Sequence, residues 1–241
     1  VMAFICTQDL KDEEYINSHY VIMATKKGQV KKTSLEQYSR PRSNGINAIT
    51  IKDGDVLLEA KLTTGQSQVV LAVKSGKAIR FEENKTRPMG RNASGVRGIR
   101  LANDADEVIG MVSINDMDSD ILVVSENGYG KRSKLEDYRM TNRGGKGVKT
   151  ISITDKTGSL VSIKNVSDTD DLMIINRSGI AIRMEVESLR VMGRATQGVR
   201  LINLRDDDTI AAVAKVLKDD EDIKDVEDIE VDMTSEPENE S

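Results

Sequence analysis

The chain has no tryptophan and only two phenylalanines and five tyrosines, so aromatic residues make up 3% of it. That scarcity disfavours two functions built on exposed rings: stacking platforms for unpaired bases and docking faces with aromatic hot spots. Cysteine and histidine occur once each, as Cys6 and His19. A single cysteine forms no internal disulfide, and one cysteine with one histidine builds no zinc site. Cys6 is expected to be a small core residue. His19 is expected at the surface, with no spacing that resembles a catalytic triad. Long apolar runs are missing too. None approaches the roughly 18 residues of a membrane-spanning helix, and the apolar start, Val1 to Cys6, lacks the basic flank and small-residue cleavage pattern of a signal peptide. These absences point to a globular protein of the cytoplasm.

Charge is plentiful but unevenly placed. The net charge is −5 over 241 residues, yet residues 219–241 alone carry 12 acidic side chains against one lysine. The remaining 218 residues have 34 basic and 28 acidic side chains, a net of +6. A basic body with an acidic tail is a sequence-level hint of nucleic-acid interaction, and the tail has the composition of a disordered segment.

The body repeats itself at about 50 residues, the period of propellers and related arrays. Four apolar runs, Val21–Ala24, Val69–Val73, Ile121–Val124 and Leu172–Ile175, each lead into a turn glycine: Gly28, Gly76, Gly128 and Gly179, at intervals of 48, 52 and 51 residues. Such turns need positive φ and read as β-hairpins. A second glycine recurs at Gly45, Gly95, Gly147 and Gly198, and a closing strand follows at 56–62, 108–114, 160–166 and 210–216. Four strands per repeat, with no long amphipathic helix, is blade-like. Four blades are therefore expected at about 19–66, 67–118, 119–169 and 170–218, with a disordered tail at 219–241. Val1 to Thr7 resembles a fifth closing strand, so residues 1–18 are expected to be the end of a truncated blade plus a linker. A four-bladed ring closed by that leftover strand is the alternative.

Basic residues recur at fixed distances from the glycines. Four positions after each turn glycine stand Lys32, Arg80, Arg132 and Arg183, and Lys31 and Lys131 precede the first and third of these. Between the glycines lie Arg87 and Arg91, Arg139 and Arg143, Arg190 and Arg194, with Arg40 and Arg42 in the shorter first repeat. Lys146 sits just before its glycine, and Arg97, Lys149 and Arg200 follow theirs. In a radial array, one position per repeat marks one latitude, so these side chains predict a cationic belt suited to a phosphate backbone. In Asn142-Arg143-Gly144-Gly145-Lys146-Gly147 the glycines either only make turns or let the backbone approach phosphates. Asp104, Asp106 and Glu107, and Asp116, Asp118 and Asp120, do not fit a calcium loop and are expected to be solvated loop acids. No nucleotide-binding fingerprint is present.

Several strings carry a family resemblance. Gly28-Gln-Val-Lys-Lys-Thr33, Thr86-Arg-Pro-Met-Gly-Arg91 leading to Gly95-Val-Arg-Gly-Ile-Arg-Leu101, Asn127-Gly-Tyr-Gly-Lys-Arg132 and Val191-Met-Gly-Arg-Ala-Thr-Gln-Gly198 resemble the C-terminal domains of bacterial DNA gyrase A subunits, over residues 1 to about 218. The resemblance implies an all-β, six-bladed β-pinwheel of which four blades are visible here. It implies a DNA-wrapping role, with strand passage using ATP and Mg2+ in an A2B2 holoenzyme associated with the nucleoid, and with the catalytic tyrosine and ATPase outside this chain. The family box Gln-Arg-Arg-Gly-Gly-Lys-Gly belongs to a first blade, and its nearest echo here is Thr141 to Gly147. The alternatives are the related topoisomerase IV A subunit, or a propeller scaffold for protein partners.

Overall fold

The computed structural model describes residues 3–205 and 208–217, and within them the chain is all-β apart from one short helix and three 3-10 turns. Each repeat opens on a hairpin: β1 (Tyr20–Thr25) with β2 (Gln29–Ser34), β4 (Gln68–Val73) with β5 (Lys77–Glu82), β8 (Asp120–Ser125) with β9 (Tyr129–Lys134), and β12 (Asp170–Asn176) with β13 (Ala181–Glu185). The turn glycines have φ between 78° and 85°, as this geometry demands. A closing strand pairs antiparallel with the first strand of each hairpin: β3 (Leu57–Thr63), β7 (Val108–Ile114), β11 (Leu160–Val166) and β15 (Ile210–Leu217).

The fourth strand of a blade comes from the next repeat. Three two-residue strands, β6 (Val96–Arg97), β10 (Val148–Lys149) and β14 (Val199–Arg200), pair with β2, β5 and β9. The sheet orders are thus β3-β1-β2-β6, β10-β5-β4-β7 and β11-β8-β9-β14, with a three-stranded β13-β12-β15 last. The second glycines make this exchange possible. A Cβ on Gly95, Gly147 or Gly198 would lie 2.5 Å from the carbonyl oxygen of Val30, Ala78 or Gly130, and all three have positive φ. Their small size serves a close approach of backbone to backbone within the protein.

The first strand of each hairpin is a continuous apolar run because both of its faces are buried. Val69 to Val73 are all buried, and neighbouring side chains of that strand point alternately into the two layers beside the blade. Leu71 and Phe81 pack with Ile22, Val30 and Ile99 between the first two blades, while Val70 packs with Ile121, Val123 and Tyr138 between the second and third. Leu122 and Val124 join Leu172 and Ile174 in the next layer. Truncating such a residue, Leu71→Ala for example, costs about 2–5 kcal/mol. The four closing strands face inward and line a cavity of about 960 Å3 together with Ala3 to Cys6.

Three expectations are corrected here. Residues 3–7 form no strand, and the linker contains a helix, α1 (Glu13–Ser18), whose N-cap Asp12 accepts from the N–H groups of Glu14 and Tyr15. Cys6 is exposed rather than a core residue. Asp106 and Asp120 are buried rather than solvated: Asp106 accepts from the backbone N–H groups of Ser75, Ala102 and Glu107 and locks two loops together, and Asp120 faces Arg132 and Lys134. The acidic tail predicted at 219–241 lies outside the described residues.

Candidate nucleic-acid interface

The recurring cations divide into two classes that the sequence did not separate. The first class stands on the second strand of each hairpin and is spent on contacts within the protein, reaching the next blade from Lys32 and Arg80 and pairing inside their own repeat for Arg132 and Arg183. Lys32 is 4% exposed; its ammonium lies 3.7 Å from the buried Glu83 carboxylate of the next repeat and 5.0 Å from the centre of the Tyr20 ring. Arg80 donates to Gln68 Oε1 at 2.7 Å and to the carbonyls of Leu135 and Tyr138 in the following repeat. Arg132, 8% exposed, pairs with Asp120 and Asp168. Arg183 is exposed and donates to Asp171 Oδ2 at 2.6 Å.

Lys31 and Lys131 are also buried. The Lys31 ammonium donates to the carbonyls of Ala48, at 2.5 Å, and Arg91, and the Lys131 ammonium donates to the Gly193 carbonyl at 2.5 Å. Burial, assisted by the charge of Arg91, pulls Lys31 down to about 8. Burial likewise pulls Lys131 down to about 8, with Arg194 lowering it further and Asp137 opposing the shift. Lys31, Lys32, Lys131 and Arg132 therefore do not present their charges outward as the belt requires. The Lys31 ammonium spends two of its three donors on protein carbonyls and the Lys131 ammonium one, and both side chains are buried.

The second class lies on the outer rim. Arg97, Lys149 and Arg200 sit on the donated strands and are exposed. The second arginine of each pair reaches back across one repeat. Arg91 donates to the carbonyl of Asn47 at 3.3 Å, Arg143 to that of Arg97 at 3.1 Å, and Arg194 to that of Lys149 at 2.7 Å. Arg143 and Arg194 also donate through Nε to the 3-10 turn carbonyls of Lys85 and Asp137, at 2.9 and 3.0 Å. These arginines are half-buried and held by protein carbonyls, Arg143 and Arg194 beside the donated strand of the preceding repeat and Arg91 beside the loop residue Asn47. Arg97 is brought next to Arg143, and Lys149 next to Arg194, in a line that runs from blade to blade.

Arg40, Arg42, Arg87, Arg139, Lys146 and Arg190 complete the rim. Their side chains are exposed and make no hydrogen bond or ion pair among the described residues. The glycine string is held by protein contacts: the Gly144 N–H donates to the Gly98 carbonyl at 2.6 Å, and the Gly145 carbonyl accepts from Arg100 N–H at 2.8 Å. The Gly144 amide is thus engaged, and the side chains of Arg143 and Lys146 carry the positive charge of that loop.

Arg200 differs from its equivalents. It donates to the Tyr129 hydroxyl from Nη2 at 2.9 Å, and its guanidinium and the Lys156 ammonium both lie 5.4 Å from that ring centre. The Arg200 hydrogen bond holds the Tyr129 phenol below its ordinary range. Sequence reasoning also missed Lys27, Lys52 and Arg100, which join Arg97 around a cleft of about 650 Å3. Arg100 has no basic counterpart at the matching positions, Ser152 and Asn203, so recurrence was no guide to it.

Comparison with known proteins agrees with this architecture. A family described as the DNA gyrase C-terminal domain, beta-propeller, matches at residues 19–64, 68–115, 119–167 and 170–216. The chain is 43% identical to the DNA gyrase A subunit of Staphylococcus aureus strain NCTC 8325 over 224 residues, which cover 92% of this chain and 25% of the relative. It is 43% identical to the corresponding protein of strain MRSA252 over 221 residues, covering 91% and 24%. The chain thus spans about a quarter of the length of these curated relatives. Among solved structures, the C-terminal domain of a DNA gyrase A superposes with a TM-score of 0.74 at 25% identity, covering 83% of this chain and 67% of that one. The C-terminal domain of a DNA topoisomerase IV superposes with a TM-score of 0.79 at 24% identity, covering 89% and 67%, a likeness of fold.

Proposed function

Because the chain belongs to the DNA gyrase C-terminal domain family, we propose that its rim binds, bends and wraps duplex DNA, so that the gyrase holoenzyme introduces negative supercoils by ATP-dependent strand passage. The observation that carries this reading is the line of outward cations. Arg143 and Arg194 are tied by hydrogen bonds to the donated strand of the preceding repeat and Arg91 to the loop carbonyl of Asn47, and Arg97 and Lys149 stand exposed on those two strands. Smooth bending of a short duplex costs on the order of several kcal/mol. A surface that offsets this cost needs cations already fixed in a curve, since ordering a free arginine loses up to about 2 kcal/mol of rotamer entropy. Here the strand exchange and the carbonyl clamps supply that order in advance.

The DNA-facing set in this reading is Arg40, Arg42, Arg87, Arg91, Arg97, Arg139, Arg143, Lys146, Lys149, Arg190, Arg194 and Arg200. It gives the chain no catalytic group. Strand cleavage, ATP and Mg2+ belong to the rest of the A subunit or to the B subunit of an A2B2 assembly in the bacterial cytoplasm. With about eight phosphates engaged, the plot of log K against log salt concentration falls with a slope near −7. The test replaces Arg87, Arg91, Arg190 and Arg194 by glutamate in the full-length A subunit, reconstituted with the B subunit. Supercoiling of relaxed plasmid should be lost while ATP-independent relaxation persists. Undiminished supercoiling would refute the proposal, and decatenation without supercoiling by the unaltered assembly would favour the topoisomerase IV alternative.

A further inference from the structure

The rim carries something that a purely ionic belt does not need. The residue after the first arginine of each pair is apolar in every repeat with such a pair: Pro88 after Arg87, Met140 after Arg139 and Val191 after Arg190. All three are exposed, Met140 at 40% and Val191 at 37%. They differ in shape, so one packing niche is not what keeps them alike. An isolated exposed apolar residue needs no explanation, but one at the same place in three blades does.

The backbone beneath these residues is pinned. Pro88, Met140 and Val191 form isolated parallel bridges with Lys32, Arg80 and Arg132 of the preceding blade. The next residue in each case donates its N–H to that same partner: Met89 to Lys32 O at 2.7 Å, Thr141 to Arg80 O at 2.9 Å, and Met192 to Arg132 O at 2.9 Å. The backbone of Lys32, Arg80 and Arg132 therefore anchors these three loops. Along the chain each apolar residue directly follows Arg87, Arg139 or Arg190, which have no protein partner among the described residues, and comes three residues before the clamped Arg91, Arg143 or Arg194.

From this we infer that the rim touches duplex DNA through one apolar side chain per blade as well as through its charges. Pro88, Met140 and Val191 pack against the deoxyribose edges of a groove while the arginines on either side hold phosphates. The chemistry is that of proteins that combine backbone charge contacts with apolar side chains pressed against the minor groove. Burial of these side chains adds a component of affinity that releases no counterions, and so does not fade with salt. The inference rests on the reading of the rim as a duplex-binding surface.

The test compares salt titrations of the 241-residue chain on one linear duplex. The Pro88→Ser, Met140→Ser, Val191→Ser triple variant should bind more weakly by on the order of tenfold at every salt concentration, its line displaced downward in parallel. The Arg87→Gln, Arg139→Gln, Arg190→Gln triple variant should instead flatten the line, by about 0.9 for each phosphate no longer engaged. If the serine triple superimposes on the unaltered protein while the glutamine triple flattens the line, the apolar inference is overturned and the wrapping reading survives. If the unaltered chain binds with no salt dependence, the wrapping reading itself falls. Should the serine triple melt early, the Val191→Thr exchange, which conserves shape at an exposed site, decides in its place: a smaller parallel displacement supports the inference, and none refutes it.

Discussion

The replacement Lys32→Met separates two explanations of why a cation recurs four residues after the turn glycine. If Lys32 holds a phosphate, its loss reduces the salt slope of DNA binding by about 0.9 and leaves stability within about 0.5 kcal/mol. The structure predicts the reverse. Glu83 is fully buried; its carboxylate accepts from Thr63 Oγ at 2.7 Å and Ser67 N–H at 3.2 Å, and its cationic partner is Lys32, whose side chain is only 5% exposed. Methionine matches the aliphatic stem but leaves that carboxylate with two neutral donors and no cation. Breaking one side of a buried pair costs about 3–5 kcal/mol, a large share of a total stability of about 5–15 kcal/mol. Urea unfolding followed by circular dichroism should show the midpoint falling at constant m-value. Adding Glu83→Gln, which removes the stranded charge but keeps an acceptor for Thr63, should recover most of the stability. A Lys32→Met variant within about 1 kcal/mol of the parent, or one with a reduced salt slope while folded, refutes the assignment of Lys32 to blade cohesion.

Other outcomes follow from the same contacts. Gly147→Ala should destabilise by more than about 1 kcal/mol, because φ is +70° and the new Cβ would lie 2.5 Å from Ala78 O; hydrogen exchange should show faster exchange at Val148 and Lys149. Gly45→Ala, with positive φ but nothing within 4 Å, should cost less in the same assay. For Lys31 and Lys131 the folded state disfavours the charged form, with values near 8 against 10.5 for the free side chain. The unfolded chain therefore binds more protons between these values, and their contribution to stability should rise as pH increases from about 8 to about 10.5. Replacing both by methionine should remove that rise from a pH series of urea midpoints. Deleting residues 219–241, which carry a net charge of −11, should tighten DNA binding at low salt and matter less as screening shortens the reach of charge; equal affinity at low salt counts against competition between tail and DNA.

The strands were legible because each apolar run sits between two blades and is buried on both faces, which leaves a mark in the sequence that needs no partner to be known. The exchange was not legible. Val96-Arg97 is a strand only because Gln29 and Val30 belong to another repeat and lie beside it, and a two-residue segment has no period of its own. Recurrence located the cations but was silent on which way each faces. Lys32 recurs in four repeats and Arg87 in three, yet one is buried against Glu83 and the other is exposed. A second spacing would have told them apart. Twelve residues before each cation of the first class stands a diagonal neighbour on the adjoining strand, Tyr20, Gln68, Asp120 or Asp171, in contact with Lys32, Arg80, Arg132 or Arg183. A cation that recurs together with a suitable partner two strand-lengths away is held by its own sheet. Arg87, Arg139 and Arg190 recur with an apolar neighbour and no protein partner among the described residues, and in a charged rim that combination points outward, to something that brings both phosphates and apolar edges of its own.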